Sequence, residues 1–156
     1  MKVVMSLTIK PEKPNTADAQ HLIDALEATL APHYPDASRH GYSVQKLIDE
    51  GVLFFVARLA ETPVGCGGVQ FYDDTYAELK RMFVRPDYRG RGIAKQLLAH
   101  LENVSREQSI YLIRLETGIH QHAAIGLYEH LGYARIAPFG NYKADPNSIF
   151  YEKRLS

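Results

Sequence analysis

Residues Arg89-Gly90-Arg91-Gly92-Ile93-Ala94 lie where a strand-like segment gives way to an amphipathic helix. Two glycines fall within three positions, and no acidic residue follows Asp87 until the helix is well under way. Backbone N–H groups at a helix N-terminus have no intrahelical partner, and the positive end of the helix dipole lies behind them. Such a corner binds anions. Gly90 and Gly92 let the backbone come close to a ligand in dihedrals that other residues resist. Arg89 and Arg91 add positive charge. The chemistry indicated is the grip of a phosphate group.

Three kinds of phosphate loop compete for this stretch. A nucleoside-triphosphate loop requires Gly-x-x-x-x-Gly-Lys-Ser/Thr, with the lysine on the phosphates and the hydroxyl on magnesium. Here Gly92 is followed by Ile93-Ala94, so both parts are missing. A dinucleotide loop requires Gly-x-Gly-x-x-Gly/Ala, and its third position holds Lys95, too bulky for a helix packed closely on a strand. The Arg/Gln-x-x-Gly-x-Gly/Ala loop that holds the pyrophosphate of coenzyme A is matched at every fixed position from Arg89 to Ala94.

Other reactive side chains carry less. Cys66 is the only cysteine, so no intrachain disulfide forms, and its setting in Val64-Gly65-Cys66-Gly67-Gly68 reads as a small residue packed in a strand. His120-Gln121-His122 invites a metal, yet no third ligand stands at regular spacing and a His-Glu-x-x-His helix is absent. No metal is expected.

The elements that must position the loop follow from periodicity. Ser6 to Lys10 reads as a first strand, and Pro11 to Asn15 breaks it. Thr16 or Asn15 caps a helix carrying Leu22, Ile23, Leu26 and Leu30, which Ala31-Pro32 ends. Residues 33–42 show no period. A short helix carries Val44, Leu47 and Ile48 up to Gly51. Strands are expected over 52–59, 63–72 and 75–84, and a helix over 92–107 with Ile93, Ala94, Leu97, Leu98, Leu101 and Val104 on one face. A strand over 110–116 broken by Gly118, a helix over 121–131 capped by Gly132, and strands near 133–137 and 148–154 complete the chain. The order predicts one α+β domain spanning 1–156, with a mostly antiparallel, partly mixed sheet flanked by helices.

Composition sets outer bounds. Formal net charge is zero, which removes any general pull toward nucleic acid or an anionic membrane. The basic cluster Lys80, Arg81, Arg85, Arg89, Arg91 and Lys95 is too short for a nucleic-acid face and suits a phosphorylated small molecule. No apolar run approaches the roughly 18 residues of a membrane span. Lys10, Glu12 and Lys13 interrupt any apolar leader, so a cytoplasmic protein is expected.

Two stretches together resemble the GNAT N-acetyltransferase superfamily: Glu78-Leu79-Lys80-Arg81-Met82-Phe83-Val84-Arg85-Pro86 leading into Arg89 to Ala94, and Ala124-Ile125-Gly126-Leu127-Tyr128-Glu129-His130-Leu131-Gly132-Tyr133. The resemblance covers most of residues 50–155. It implies a sheet whose strands splay at the cofactor site, with acetyl-CoA as co-substrate and no metal. The backbone of Met82, Phe83 and Val84 would pair with the pantetheine amides as an added strand does. The amides of Gly90, Arg91, Gly92, Ile93, Ala94 and Lys95 would wrap the pyrophosphate. Gln121 stands where the family often has a cofactor-contacting asparagine.

The same resemblance assigns catalytic roles. An amine of pKa about 10.4 is neutral in roughly one molecule in a thousand at pH 7, so a general base is useful. Glu78 matches a catalytic glutamate of certain members, and period-two alternation puts it on one face with Lys80, Met82 and Val84. The other reading of Glu78 is a structural partner of Lys80 or Arg81. Tyr128 matches the tyrosine that protonates the departing thiolate; its other reading is a core residue at helical spacing with Ala124, Ile125 and Leu131. The acceptor side would be built from about 31–43 and 138–148, including His33, Tyr34, Arg39, His40, Tyr42, Phe139, Tyr142 and Asn147. Arg39 stands either as a surface residue or as a clamp on a carboxylate. The expected activity is acetyl transfer from acetyl-CoA to a primary amine of a small molecule or peptide, by direct attack in a ternary complex. A non-catalytic acyl-CoA-binding module is the alternative, and a homodimer is compatible with the resemblance.

Overall fold

A computed structural model describes residues 6–156. A seven-stranded sheet runs β1 (Leu7–Pro11), β2 (Leu53–Leu59), β3 (Thr62–Tyr72), β4 (Tyr76–Val84), β5 (Leu112–Gly118), β7 (Ser148–Arg154) and β6 (Ala134–Ile136) across its width. Every neighbouring pair is antiparallel except β4 with β5. No helix among the described residues is long and apolar enough to cross a membrane.

Helices cover both faces. α1 (Ala17–Leu30) starts where the Thr16 hydroxyl accepts from the Ala19 N–H, and α2 (Val44–Asp49) starts where Ser43 does the same for Lys46. Both follow the capping rule that a hydroxyl satisfies an otherwise orphaned donor. Leu22, Ile23 and Leu26 of α1 and Leu47 of α2 pack with Phe54, Val56, Cys66 and Phe83 on one face. On the opposite face α3 (Ile93–Glu107) lays Leu98 and Leu101 on Val69, Ala77, Leu79 and Ile113, joined by Tyr128 of α4 (His122–His130).

β4 does not alternate along its whole length. Cys66 pairs with Phe83, but Gly68 pairs with Lys80, so β4 carries one residue more than β3 across this step. The extra residue is Arg81, with φ at +54°. A bulge inserts one position and reverses the faces beyond it. Glu78 and Lys80 therefore share the α1 face with Arg81 and Phe83, whereas Met82 and Val84 turn to the α3 face beside Ile93 and Leu97. The expectation of one face for Glu78, Lys80, Met82 and Val84 is corrected here.

A second correction concerns β5. It begins at Leu112 and includes Gly118, which pairs with Ser148 instead of breaking the strand. A β-carbon on Gly118 would overlap the phenol of Tyr34, so glycine is required there for the crossing of another chain segment.

Candidate active site

β4 and β5 are paired only at Ala77 with Ile113 and Glu78 with Arg114. Beyond those two positions the strands part, and the later half of β4 faces a gap instead of a neighbour. Unpaired strand edges bind extended chains through main-chain hydrogen bonds. A cleft of about 130 Å³ opens in this gap, lined by Leu79, Arg81 and Met82 of β4, by Leu115 to Gly118 of β5, and by Gln121, Ala124 and Tyr128. Tyr34, Ser38, Arg39 and His40 line it from the segment after α1.

The loop at the end of β4 is braced from within. Arg85 donates its backbone N–H to the Val64 carbonyl at 2.8 Å and its guanidinium to that of Pro63 at 3.2 Å. Arg89 Nε folds back to the Val84 carbonyl at 3.3 Å, and the Arg91 guanidinium lies over the Tyr88 ring at 5.1 Å. Gly90 and Gly92 have φ of +79° and +76°, the left-handed region that disfavours any β-carbon. Gly92 is the N-cap of α3, and no side chain caps the helix. The first-turn N–H groups of α3 are thus turned outward beside open space around both glycines. The resemblance expects a pyrophosphate against the main-chain donors of Gly90, Arg91, Gly92, Ile93, Ala94 and Lys95, and the open, uncapped helix start at Gly92 is compatible with that expectation.

Glu116 and Tyr128 are two of the ionisable groups that line the cleft. Tyr128 is 6% exposed on the α3 face, with its ring 5.6 Å from that of Tyr133. Burial, followed by the charge of Glu116, pushes its phenol above the ordinary range, so it keeps its proton at neutral pH. Glu116 lines the cleft and accepts a 2.8 Å hydrogen bond from the Ser148 hydroxyl. Burial raises its carboxyl above the usual carboxylate value, partly offset by that hydrogen bond and by His40. Sequence reasoning passed over Glu116. Its signal was a carboxylate near the end of a strand, close to the turn that leads into the tyrosine-bearing helix.

Glu78 lies deeper, 2% exposed and outside the lining of the cleft. Its Oε2 accepts from Lys80 Nζ at 2.8 Å and from the Tyr142 hydroxyl at 2.6 Å. Gln121 is at the cleft, and its Oε1 accepts from the Tyr34 hydroxyl at 3.3 Å, while that hydroxyl takes the His120 N–H at 2.9 Å. The His120 ring packs at a tilt against Tyr34 and His33, 5.5 Å from each.

The remaining acceptor-side residues divide in two. Tyr34, Arg39 and His40 reach the cleft, whereas Tyr42, Phe139, Tyr142 and Asn147 build the layer behind it. Arg39 is half-buried at the rim of the cleft and is already engaged, pairing with Glu27 at 3.4 Å and with the exposed Asp36. Cys66 is fully buried, donates to the Arg81 carbonyl at 3.3 Å, and has its thiol pushed up to about 12 by burial. No thiolate is present at neutral pH, and the packed reading of this cysteine holds.

The fold and the parted strands define an acyl-CoA N-acyltransferase architecture. The acetyltransferase (GNAT) family model matches residues 19–133, and the chain belongs to that family. It is 39% identical over 151 residues to the IAA acetyltransferase of Azospirillum brasilense, covering 96% of this chain and 99% of that one. A Klebsiella pneumoniae structure described as an acyl-CoA N-acyltransferase superposes with a TM-score of 0.82 at 36% identity, covering 96% and 98% of the two chains. The PaiA N-acetyltransferase of Thermoplasma acidophilum, solved with coenzyme A, shares the fold at 23% identity and a TM-score of 0.74, covering 97% and 100%.

Proposed function

We propose that residues 1–156 form one acetyltransferase domain that moves an acetyl group from acetyl-CoA to a primary amine of a small molecule or peptide, in the cytoplasm, by direct attack within a ternary complex. The observation that carries this reading is the parting of β4 from β5 directly before an uncapped, glycine-hinged helix start. Main-chain groups of Met82, Phe83 and Val84 would hold the pantetheine arm, and the donors of Gly90 to Lys95 the pyrophosphate. Arg89 serves this loop as an internal brace.

Amine and thioester would then meet in the cleft between Glu116 and Tyr128. A carboxylate with a raised pKa is a better acceptor for the amine's proton than an ordinary one, because driving force rises with basicity. Glu116 is thus our candidate base. Glu78, the carboxylate singled out by family resemblance, stands behind it and does not face the cleft. Tyr128 keeps its proton and would donate a hydrogen bond to the departing thiolate as negative charge develops on the sulfur. With Cys66 buried and protonated, no covalent enzyme intermediate is invoked.

The test is thiol release from acetyl-CoA across a panel of free amino acids, polyamines, aminoglycosides and peptide N-termini, with IAA included because a relative bears that name. Acetylation of at least one amine, identified by mass spectrometry, is the expected result. Coenzyme A binding without acetylation of any amine would remove the catalytic claim.

A further inference from the structure

Behind the cleft lies the most completely buried ion pair among the described residues. Glu78 and Lys80 are 2% and 6% exposed, and Lys80 Nζ meets Glu78 Oε2 at 2.8 Å. Burying two charges costs more than their attraction returns unless further hydrogen bonds and geometry compensate. Here they do. Lys80 also donates to the Tyr142 hydroxyl at 3.2 Å and sits 4.0 Å from the centre of the Tyr42 ring. Tyr142 donates to Glu78 at 2.6 Å.

These two tyrosines belong to different walls of the acceptor side. Tyr42 ends the segment after α1, whose carbonyl at Tyr42 is held by Arg81 Nε at 2.9 Å. Tyr142 is on the loop between β6 and β7. The same walls meet twice more, where His40 lies 3.6 Å from Asp145 and where Asn147 Nδ2 donates to Ser38 Oγ at 3.1 Å. On the sheet, Glu78 is registered with Arg114, and Glu116 is the next residue of β5 on that face. The pair therefore stands beside Glu116 across the parted strands.

We infer that Glu78 and Lys80 are positioning residues that clamp Tyr142 and Tyr42 together, docking the 139–147 loop on the 36–43 segment around Glu116. The inference rests on the acetyltransferase reading for its purpose. Ser148 from β7 bonds Glu116 directly, and the groups coupled to it by charge are Glu78 and Lys80 from β4, Tyr34 and His40 from the segment after α1, Tyr128 from α4 and Tyr142 from the loop. Arg39 and Arg81 line the same cleft, and Arg114 with Glu152 form a pair further back along β5. Glu78 raises the Glu116 carboxyl while Lys80 lowers it.

The full chain carrying Tyr142→Phe or Glu78→Gln tests the clamp. For Tyr142→Phe we expect coenzyme A affinity within twofold of the parent and amide hydrogen exchange at least fivefold faster across 139–147. The KM of the best amine should rise at least fivefold with kcat within twofold. For Glu78→Gln, the carbon-13 titration midpoint of the Glu116 carboxyl should fall, and the acidic limb of kcat/KM should fall with it. If Glu78→Gln does not fold because Lys80 is left unpaired, Tyr142→Phe and the double change Glu78→Gln with Lys80→Met decide by hydrogen exchange.

Unchanged exchange and an unchanged Glu116 midpoint would overturn the clamp. A hundredfold loss of kcat in Glu78→Gln with the Glu116 midpoint unmoved would overturn it in favour of Glu78 as the base. Failure of the parent protein to acetylate any amine would strike the acetyltransferase reading instead, and the exchange and titration readouts would still decide the clamp.

Discussion

The two sides of the cleft are made of different material. Toward α3, the free half of β4 and the turn after it present main-chain groups, two left-handed glycines and an uncapped helix start. Toward α1, the cleft is walled by side chains: Tyr34, Ser38, Arg39, His40 and Glu116, with Tyr42, Tyr142, Lys80 and Glu78 stacked behind. A main-chain site depends on dihedrals and so tolerates change in most side chains. A side-chain site depends on identities. The first suits a co-substrate shared across a family, and the second suits an acceptor particular to one protein.

Substitutions on each side should separate along that line. The largest effect belongs to Glu116→Gln, for which turnover at neutral pH should fall about 100-fold or more with coenzyme A affinity unchanged, read by steady-state kinetics and calorimetry. Next is Tyr128→Phe, with turnover down at least tenfold, about 1.4 kcal/mol, again at constant coenzyme A affinity. Gly92→Ala forces a β-carbon into a left-handed position at a cost of about 1–2 kcal/mol. It should weaken coenzyme A binding by roughly tenfold while leaving the amine's KM alone. If it moved the amine's KM instead, the division between the two sides would fail.

The smallest effects concern pH. As the proposed base, Glu116 would have to be deprotonated to act, and its folded pKa is raised, so kcat/KM should fall with decreasing pH through a midpoint above the ordinary carboxylate value. The sign for stability runs the other way. A carboxyl with a raised folded pKa contributes stability below its unfolded pKa and loses it as pH climbs through the folded value. Glu116→Gln should therefore melt slightly higher than the parent at neutral pH, and a lower melting temperature would count against burial as the cause of the shift.

Legibility in the sequence followed the same division. Arg89 to Ala94 and the helix after it were readable because glycine spacing and apolar periodicity are local signals, whereas Tyr128 was singled out by the family resemblance, its periodicity alone reading as core. The succession of elements along the chain was readable in outline, together with a mostly antiparallel, partly mixed sheet. Three features escaped. The bulge at Arg81 was invisible because a non-glycine residue takes the positive φ, and it moved Met82 and Val84 off the face of Glu78. Gly118 looked like a breaker because its true reason, the Tyr34 phenol lying on it, is a contact across 84 positions of chain. Glu116 looked like any strand carboxylate, since burial and the neighbours His40, Glu78 and Lys80 come from other elements.

The parting of β4 from β5 has a mechanical side as well. With two registered positions between them, strands β1–β4 and β5–β7 are two plates joined along a short seam. A molecule lying in the gap splices the plates. It binds only the folded form, so at a hundredfold excess over its dissociation constant it would raise folding stability by about 2.7 kcal/mol. The upward shift of the melting temperature with coenzyme A should then shrink, at equal saturation of the site, when the splice is shortened to the nucleotide half alone. On this reading the protein's lifetime in the cell would follow the supply of its own co-substrate.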